Sequence, residues 1–396
     1  MVAKKAYIVV GLGYGDEGKG ITTDYLCLST TNQIVVRFNG GHQAGHTVVT
    51  KSGVRHVFSC FGSGTLRNIP TYWSKYCTFS PVFFYEEFKL LRTAPKIYID
   101  ESCPVTTHYD ILYNRAVEKY RGDSKHGSCG VGFGATIQRS KNENLNLIFS
   151  DFFDEAVYIK IKFIREYYRQ KIEAETTFCF NEFEHDEEDR MFFDYIDNVK
   201  KLHSKGIIEM TSEHKLFHET KYQNYIFEGA QGILLDINYG EKPHVTKSNT
   251  TSKNALDILS RQFYKIDTEI FYVTRAYSTR HGAGPFKKDN YNLELVNNSA
   301  ETNTYNIYQE EFRVGIMNID LINFAIGCDN TFSSGIKKNI VITCLDQLKD
   351  ENVPVILNGI TQFVHYNSLS KMINESFSNV LFSYSDCSEN LKCKNN

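Results

Sequence analysis

The ten residues Gly11-Leu12-Gly13-Tyr14-Gly15-Asp16-Glu17-Gly18-Lys19-Gly20 constrain this chain more than any other stretch. They follow an apolar, β-favouring run, residues 6–10, and precede a helical pattern over residues 21–28. Strand, glycine turn and helix in that order build an anion seat. Glycines let backbone N–H groups approach a phosphate, and the helix N-terminus adds partial positive charge. Lys19 is placed to reach the terminal phosphates of a nucleotide. The spacing Gly13-x4-Gly18-Lys19 is that of a P-loop, but Gly20 follows where Ser or Thr would normally hold Mg²⁺. Asp16 adds a carboxylate that an ordinary P-loop does not need.

The same construction recurs along the chain. Residues 34–38 form a buried-strand pattern leading into Asn39-Gly40-Gly41-His42-Gln43-Ala44-Gly45-His46-Thr47. Residues 225–228 lead into Gly229-Ala230-Gln231-Gly232, and residues 270–277 into Ser278 through Pro285. Residues 340–346 are a late apolar strand ending at Asp346. Between these, the pattern predicts short strands over 48–49 and 54–61, helices over 81–93 and 107–120, and a strand over 96–100. The glycine-rich run 127–134 is a loop, either a linker or a ligand loop. Residues 154–220 read as helical and charged; the acidic residues 182–189 fit a solvated helix start. The polar residues 385–396 are expected to fray. Ligand loops at strand C-termini belong to an open, mostly parallel α/β sheet.

With 396 residues, 41% hydrophobic and 23% charged, the chain can bury a large core. It shows no internal repeat or low-complexity linker. The expectation is one large domain over 1–396, with a mainly helical insertion around 154–220. The net charge of −3 argues against a nucleic-acid partner. No apolar stretch reaches the length of a membrane span, and the N-terminus lacks a signal-peptide pattern. Ten scattered cysteines without CxxC spacing point to reduced thiols, hence a cytoplasmic setting.

Five motifs in order resemble adenylosuccinate synthetase, over roughly residues 6–346. They are Gly15-Asp16-Glu17-Gly18-Lys19-Gly20; Gly40-Gly41-His42-x-Ala44-Gly45-His46-Thr47; Phe227-Glu228-Gly229-Ala230-Gln231-Gly232-x-Leu234-Leu235-Asp236; Ser248-Asn249-Thr250-Thr251; and Ala276-Tyr277-Ser278-Thr279-Arg280-x-Gly282-Ala283-Gly284-Pro285-Phe286. The resemblance implies a large, mostly parallel sheet with surrounding helices and a P-loop-like nucleotide site. It implies a homodimer that joins aspartate to IMP using GTP and Mg²⁺. The purine 6-oxygen is phosphorylated first, and the amine then displaces the phosphate. Asp16 would take the N1 proton and, with the Gly45 carbonyl, hold Mg²⁺. His46 and Lys19 would meet charge on the transferred phosphate, with Gln231 beside the purine and ribose. The purine nucleotide would also touch Gln43, Ser128, Cys129, Arg139, Thr246 and His281, Arg139 being the candidate arginine donated across the dimer interface and Thr246 a 5′-phosphate contact. GTP, or ATP in its place, would meet Gly15, Glu17, Gly18, Lys19, Gly20, His46, Thr47, Arg313 and Asp346. The Asp346 carboxylate would accept from guanine.

The chain also departs from the family pattern. His281 stands where a valine is usual, Gln43 for asparagine, Cys129 for threonine, Val131 for arginine, and Cys344 for the lysine that packs on guanine. The family's arginine-rich aspartate loop corresponds to residues 303–315, where only Arg313 remains and Glu310 and Glu311 would repel a dicarboxylate. The phosphorylating half is therefore present and the amine-accepting half is altered. Three readings stay open: an aspartate-dependent enzyme, a ligase for another purine such as dGMP or another amine, and a silent nucleotide binder.

Overall fold

A computed structural model of the chain describes residues 4–93, 95–182, 185–219, 222–263, 265–286, 291, 293–297, 299, 301 and 311–394. Its centre is a ten-stranded sheet. From edge to edge the strands are Leu391–Cys393, Asn379–Ser383, Lys337–Thr343, Asp267–Arg275, Lys5–Gly11, Asn224–Glu228, Gln33–Arg37, Thr71–Trp73, Ile97–Asp100 and Ile208–Thr211. All neighbours are parallel except the Leu391–Cys393 edge. The central strands are apolar on both faces because both faces are covered. Along the first strand, Ala6, Ile8 and Val10 enter one core cluster and Val9 another, as the two-residue period requires.

Register places the functional loops together. Val9 lies opposite Glu228, Gly11 opposite Val273, Arg37 opposite Glu228, and Thr343 opposite Arg275. The turns after these five strands therefore leave the same, carboxyl-terminal edge of the sheet. This is where open α/β sheets bind ligands.

The helices Ala156–Glu175 and His185–Ser204 pack beside the other half of the sheet. The first buries Val157, Ile161, Ile164, Tyr168 and Ile172, a stripe at steps of four and three. Region 154–220 is mainly helical but also supplies Ile208–Thr211, which closes the far edge of the sheet against Ile97–Asp100. The expected fraying of the tail is corrected through residue 394. Leu391–Cys393 pairs with Asn379–Ser383, Leu391 is buried, and the Ser388 hydroxyl donates to Asp24 at 2.5 Å. All ten cysteines are free thiols. Among the described residues no helix is long and apolar enough to cross a membrane.

Candidate active site

The turns border one cleft of about 1140 Å³, large enough for two nucleotides. Its floor is the first glycine loop. Gly15 and Gly18 take left-handed backbone at φ 98°, which opens the turn at little steric cost. The Glu17 carboxylate folds back inside it, accepting from Gly13 N at 3.0 Å and Gly15 N at 2.9 Å and pairing with Lys19. A Cβ on Gly11 would lie 2.3 Å from Glu17 Oε2, so glycine at 11 makes room for that carboxylate. Glu17, expected to meet the triphosphate, is therefore a brace of the loop. Gly15, Asp16, Gly18, Lys19 and Gly20 do border the cleft.

Gly20 has a steric cause. A Cβ there would sit 2.9 Å from Thr47 O and 3.1 Å from His46 Cβ. The strand His46–Val49 occupies the place of the usual P-loop hydroxyl, and it brings His46 and Thr47 to the cleft wall.

His46 is held from behind. Its Nδ1 lies 2.6 Å from Glu228 Oε1, whose carboxylate also accepts from Ser63 N at 3.0 Å and from the Ser63 hydroxyl. Burial of Glu228 would raise its pKa, but His46, Arg37 and Ser63 outweigh this and keep it below the usual range. Burial holds the His46 imidazole below its ordinary value against the opposing pull of Glu228. Nδ1–H on the Glu228 carboxylate turns Nε2 toward the cleft, and once protonated there, as Glu228 and an incoming phosphate favour, the ring donates from Nε2 to a charged oxygen. Glu228 and Ser63 were not singled out from the sequence. The available signal was an acid at the end of an apolar strand, directly before Gly229.

Burial pushes the Asp16 carboxyl up, while Arg275 and Lys19 pull it back. A carboxylate shifted this way is a better base near neutral pH. Arg275, also absent from the sequence-based candidates, donates from Nε to Asp16 O at 2.5 Å and from Nη1 to Glu301 at 2.8 Å. It fixes the loop at the carboxylate. Among the described residues no group of three His, Cys, Asp or Glu could hold a metal ion. Asp16 and Gly45 both border the cleft, and one carboxylate plus one carbonyl suits Mg²⁺, which draws its other ligands from phosphates and water.

Gln43, Gln231 and His281 surround the cleft with unmet polar atoms. Among the described residues, both amide atoms of Gln43, Gln231 Oε1 and His281 Nε2 are buried without a partner. Each such group costs about 1–3 kcal/mol, which a polar ligand edge would recover. Cys344 and Asp346 border the cleft at the end of strand Lys337–Thr343, and burial raises the Asp346 carboxyl, with Asp386 adding to the rise. Ser128, Cys129 and Thr246 line it elsewhere, and burial pushes the Cys129 thiol up to about 11, leaving it unreactive.

Besides Glu17, two expected ligands lie outside the cleft lining. Arg139 is 1% exposed; its guanidinium bonds Asp110 at 3.0 Å twice, Val105 O at 2.7 Å and Leu145 O at 2.5 Å. It is an interior strut and is not free to enter another subunit. Arg313 gives Nη1 to Gly284 O at 2.9 Å and Nη2 to Gly282 O, clasping the 282–284 turn. Residues 303–310 of the altered amine loop, with Glu310, lie outside the described residues.

The family model for adenylosuccinate synthetase matches residues 8–378. The chain belongs to the adenylosuccinate synthetase family. The adenylosuccinate synthetase of Psychromonas ingrahamii is 34% identical over 297 residues, covering 72% of this chain but 64% of that relative, so the match spans just under two-thirds of its length. The Picrophilus torridus adenylosuccinate synthetase is 29% identical over 352 residues, 86% of this chain and 78% of the relative. Among solved structures, fully ligated adenylosuccinate synthetase from Plasmodium falciparum superposes with a TM-score of 0.78 at 18% identity, covering 99% of this chain and all of that one. Succinoaminodeoxyadenylate synthetase of cyanophage S-2L, bound to dGMP with dATP as energy donor, gives 0.64 at 13% identity, covering 99% and 95%. These two share the fold of the adenylosuccinate synthetase family with this chain.

Proposed function

We propose that this chain is an NTP-driven ligase that replaces the 6-oxo group of a purine nucleotide with an amine, aspartate by default. Asp16 removes the N1 proton, and the 6-oxygen attacks the γ-phosphorus, releasing the nucleoside diphosphate. The amine then adds at C6, and phosphate leaves with the former 6-oxygen. His46, steadied by Glu228, meets charge on the transferred phosphoryl group and the 6-oxygen, and Lys19 neutralises the phosphates. Mg²⁺ held by Asp16 and Gly45 would supply charge neutralisation on the donor phosphates. Asp346 offers two acceptors to N1–H and the 2-amino group of guanine, which favours GTP as donor. A homodimer in the cytoplasm accompanies this reading through the family resemblance.

The observation that carries it is the Asp16 carboxylate and a carboxylate-held imidazole on one cleft, beside a phosphate loop. Binding alone needs neither group. The test is phosphate release with IMP, GTP and aspartate. Asp16→Ala is expected to abolish release while leaving the melting temperature within about 2 °C, since the side chain lies at a loop. Unchanged release would overturn the mechanism. A second reading, a substrate such as dGMP, is favoured by His281 Nε2 beside the cleft, which has no partner among the described residues. Turnover with dGMP and none with IMP would select it.

A further inference from the structure

The cleft end that carries Ser128, Cys129 and Thr246 has lost the charged groups the family resemblance assigns there. Val131 replaces an arginine, Cys129 a threonine, and Arg139 is locked inside the fold. The structure nevertheless gathers other cations at that end. Three loops meet there. His244 Nδ1 lies 3.2 Å from His126 O, a Cβ on Gly127 would lie 2.7 Å from Ala283 N, and one on Gly134 would lie 3.2 Å from Lys247 Cγ. Arg121, Lys242 and Lys247 all border the cleft alongside them.

The carboxylate of this group, Glu118, is already committed. It accepts from Arg121 Nη1 at 2.5 Å, Gly127 N at 3.1 Å and Ser128 N at 3.3 Å, and so shapes the loop. Neither Lys242 nor Lys247 has a carboxylate partner among the described residues, and both are exposed. Arg121 is answered by Glu118 and, at longer range, by Glu175, which leaves Lys242 and Lys247 as the two cations able to complement a phosphate monoester at neutral pH.

We propose that Lys247, Lys242 and Arg121, with the hydroxyls of Ser128 and Thr246, seat the 5′-phosphate of the purine nucleotide, so that its countercharge comes from the same chain. The proposal rests on the ligase reading and names which residues hold its substrate. Lysines suit the role because they act as mobile point charges and tolerate the loss of a fixed arginine fork. The His126 imidazole reports the same field: burial first, then Arg121, hold it below its ordinary value against the opposing pull of Glu118, with His244 and Lys247 adding to the drop. Glu118 is a positioning residue, since it sets the Gly127–Ser128 backbone and orients Arg121.

The experiment is calorimetric titration of the full chain with purine nucleoside monophosphates (IMP and dGMP) and the matching nucleosides. Lys247→Met keeps the aliphatic stem against Gly134 and removes only the charge. It should weaken monophosphate binding about tenfold and leave nucleoside binding unchanged, the scale expected for one charged contact. Lys247→Arg should restore most of the loss. In steady state the variant should raise KM for the monophosphate and spare KM for the NTP. Equal weakening of nucleotide and nucleoside, or no weakening of either, overturns the proposal. If that happens while the enzyme still releases phosphate, the ligase reading survives. If the wild-type chain binds no purine monophosphate, both fall.

Discussion

Installing the hydroxyl that the P-loop lacks should damage this protein. In Gly20→Ser a Cβ would stand 2.9 Å from Thr47 O and 3.1 Å from His46 Cβ, where ordinary contacts begin near 3.4 Å. The deficit of about 0.5 Å falls on backbone, so the strand His46–Val49 must move as a unit. Overpacking of this kind costs about 1–3 kcal/mol. Replacing glycine inside the helix Lys19–Ser29 returns up to about 1 kcal/mol through propensity. For 396 residues the unfolding entropy is about 0.8 kcal/mol/K, so the net cost lowers Tm by only about 1–2 °C. Turnover is the sensitive readout. A shift of about 1 Å in a catalytic group can cost about 100-fold, so half that displacement of His46 should cost roughly tenfold in phosphate release. Gly20→Ala should behave alike, because the Cβ and not the hydroxyl does the harm. Full turnover in Gly20→Ser, or a Tm loss above about 5 °C, would refute the reasoning.

Three further outcomes follow from the described geometry. Glu228→Gln keeps the shape but removes the charge behind His46; phosphate release should drop about 100-fold, and an unchanged rate across pH 6–9 would remove Glu228 from the mechanism. His42 is 3% exposed, bonds Val131 O through Nε2 at 3.0 Å, and has its pKa lowered by burial to about 4. Its folded pKa is below the unfolded value, so its effect is nil above about pH 6.5 and grows as pH falls toward 4. In melts at pH 5 the wild type should therefore lose about 2 kcal/mol relative to His42→Gln, a difference absent at pH 7.5. Asp346→Asn leaves guanine one acceptor; KM for GTP should rise about tenfold or more and KM for ATP should not, as competition assays with both donors will read.

The α/β class, the carboxyl-edge loops and the five strands that carry them are legible in the sequence, because apolar runs and glycine turns are local signals; Thr71–Trp73, Ile208–Thr211 and Asn379–Ser383, short or flanked by polar residues, were not. Gly20 and Asp16 also stood out, and both border the cleft. The direction of long charged side chains was not legible. Glu17 lies in the phosphate loop by sequence, yet its carboxylate turns inward to two backbone amides. Arg139 follows a glycine loop like a ligand would, but Asp110, in the first turn of the helix His108–Arg121, waits in the interior to bind it. Glu228 sat within a quoted motif without a role, since its partner His46 is 182 residues away. The tail was misread for a related reason: polar composition hid Leu391, one buried residue that fixes an edge strand.

Asp16, Gln231 and Cys344 share left-handed backbone, at φ 62°, 63° and 60°, and all three border the cleft. For side chains other than glycine this conformation costs about 1 kcal/mol or more. Glycine would relieve it at each position and delete the very group the cleft presents. Selection for heat resistance alone would therefore erode this site from within, and only selection for turnover would keep it. Thermal hardiness and chemistry oppose each other here at three identifiable peptide units, which tells an engineer where to leave the chain alone.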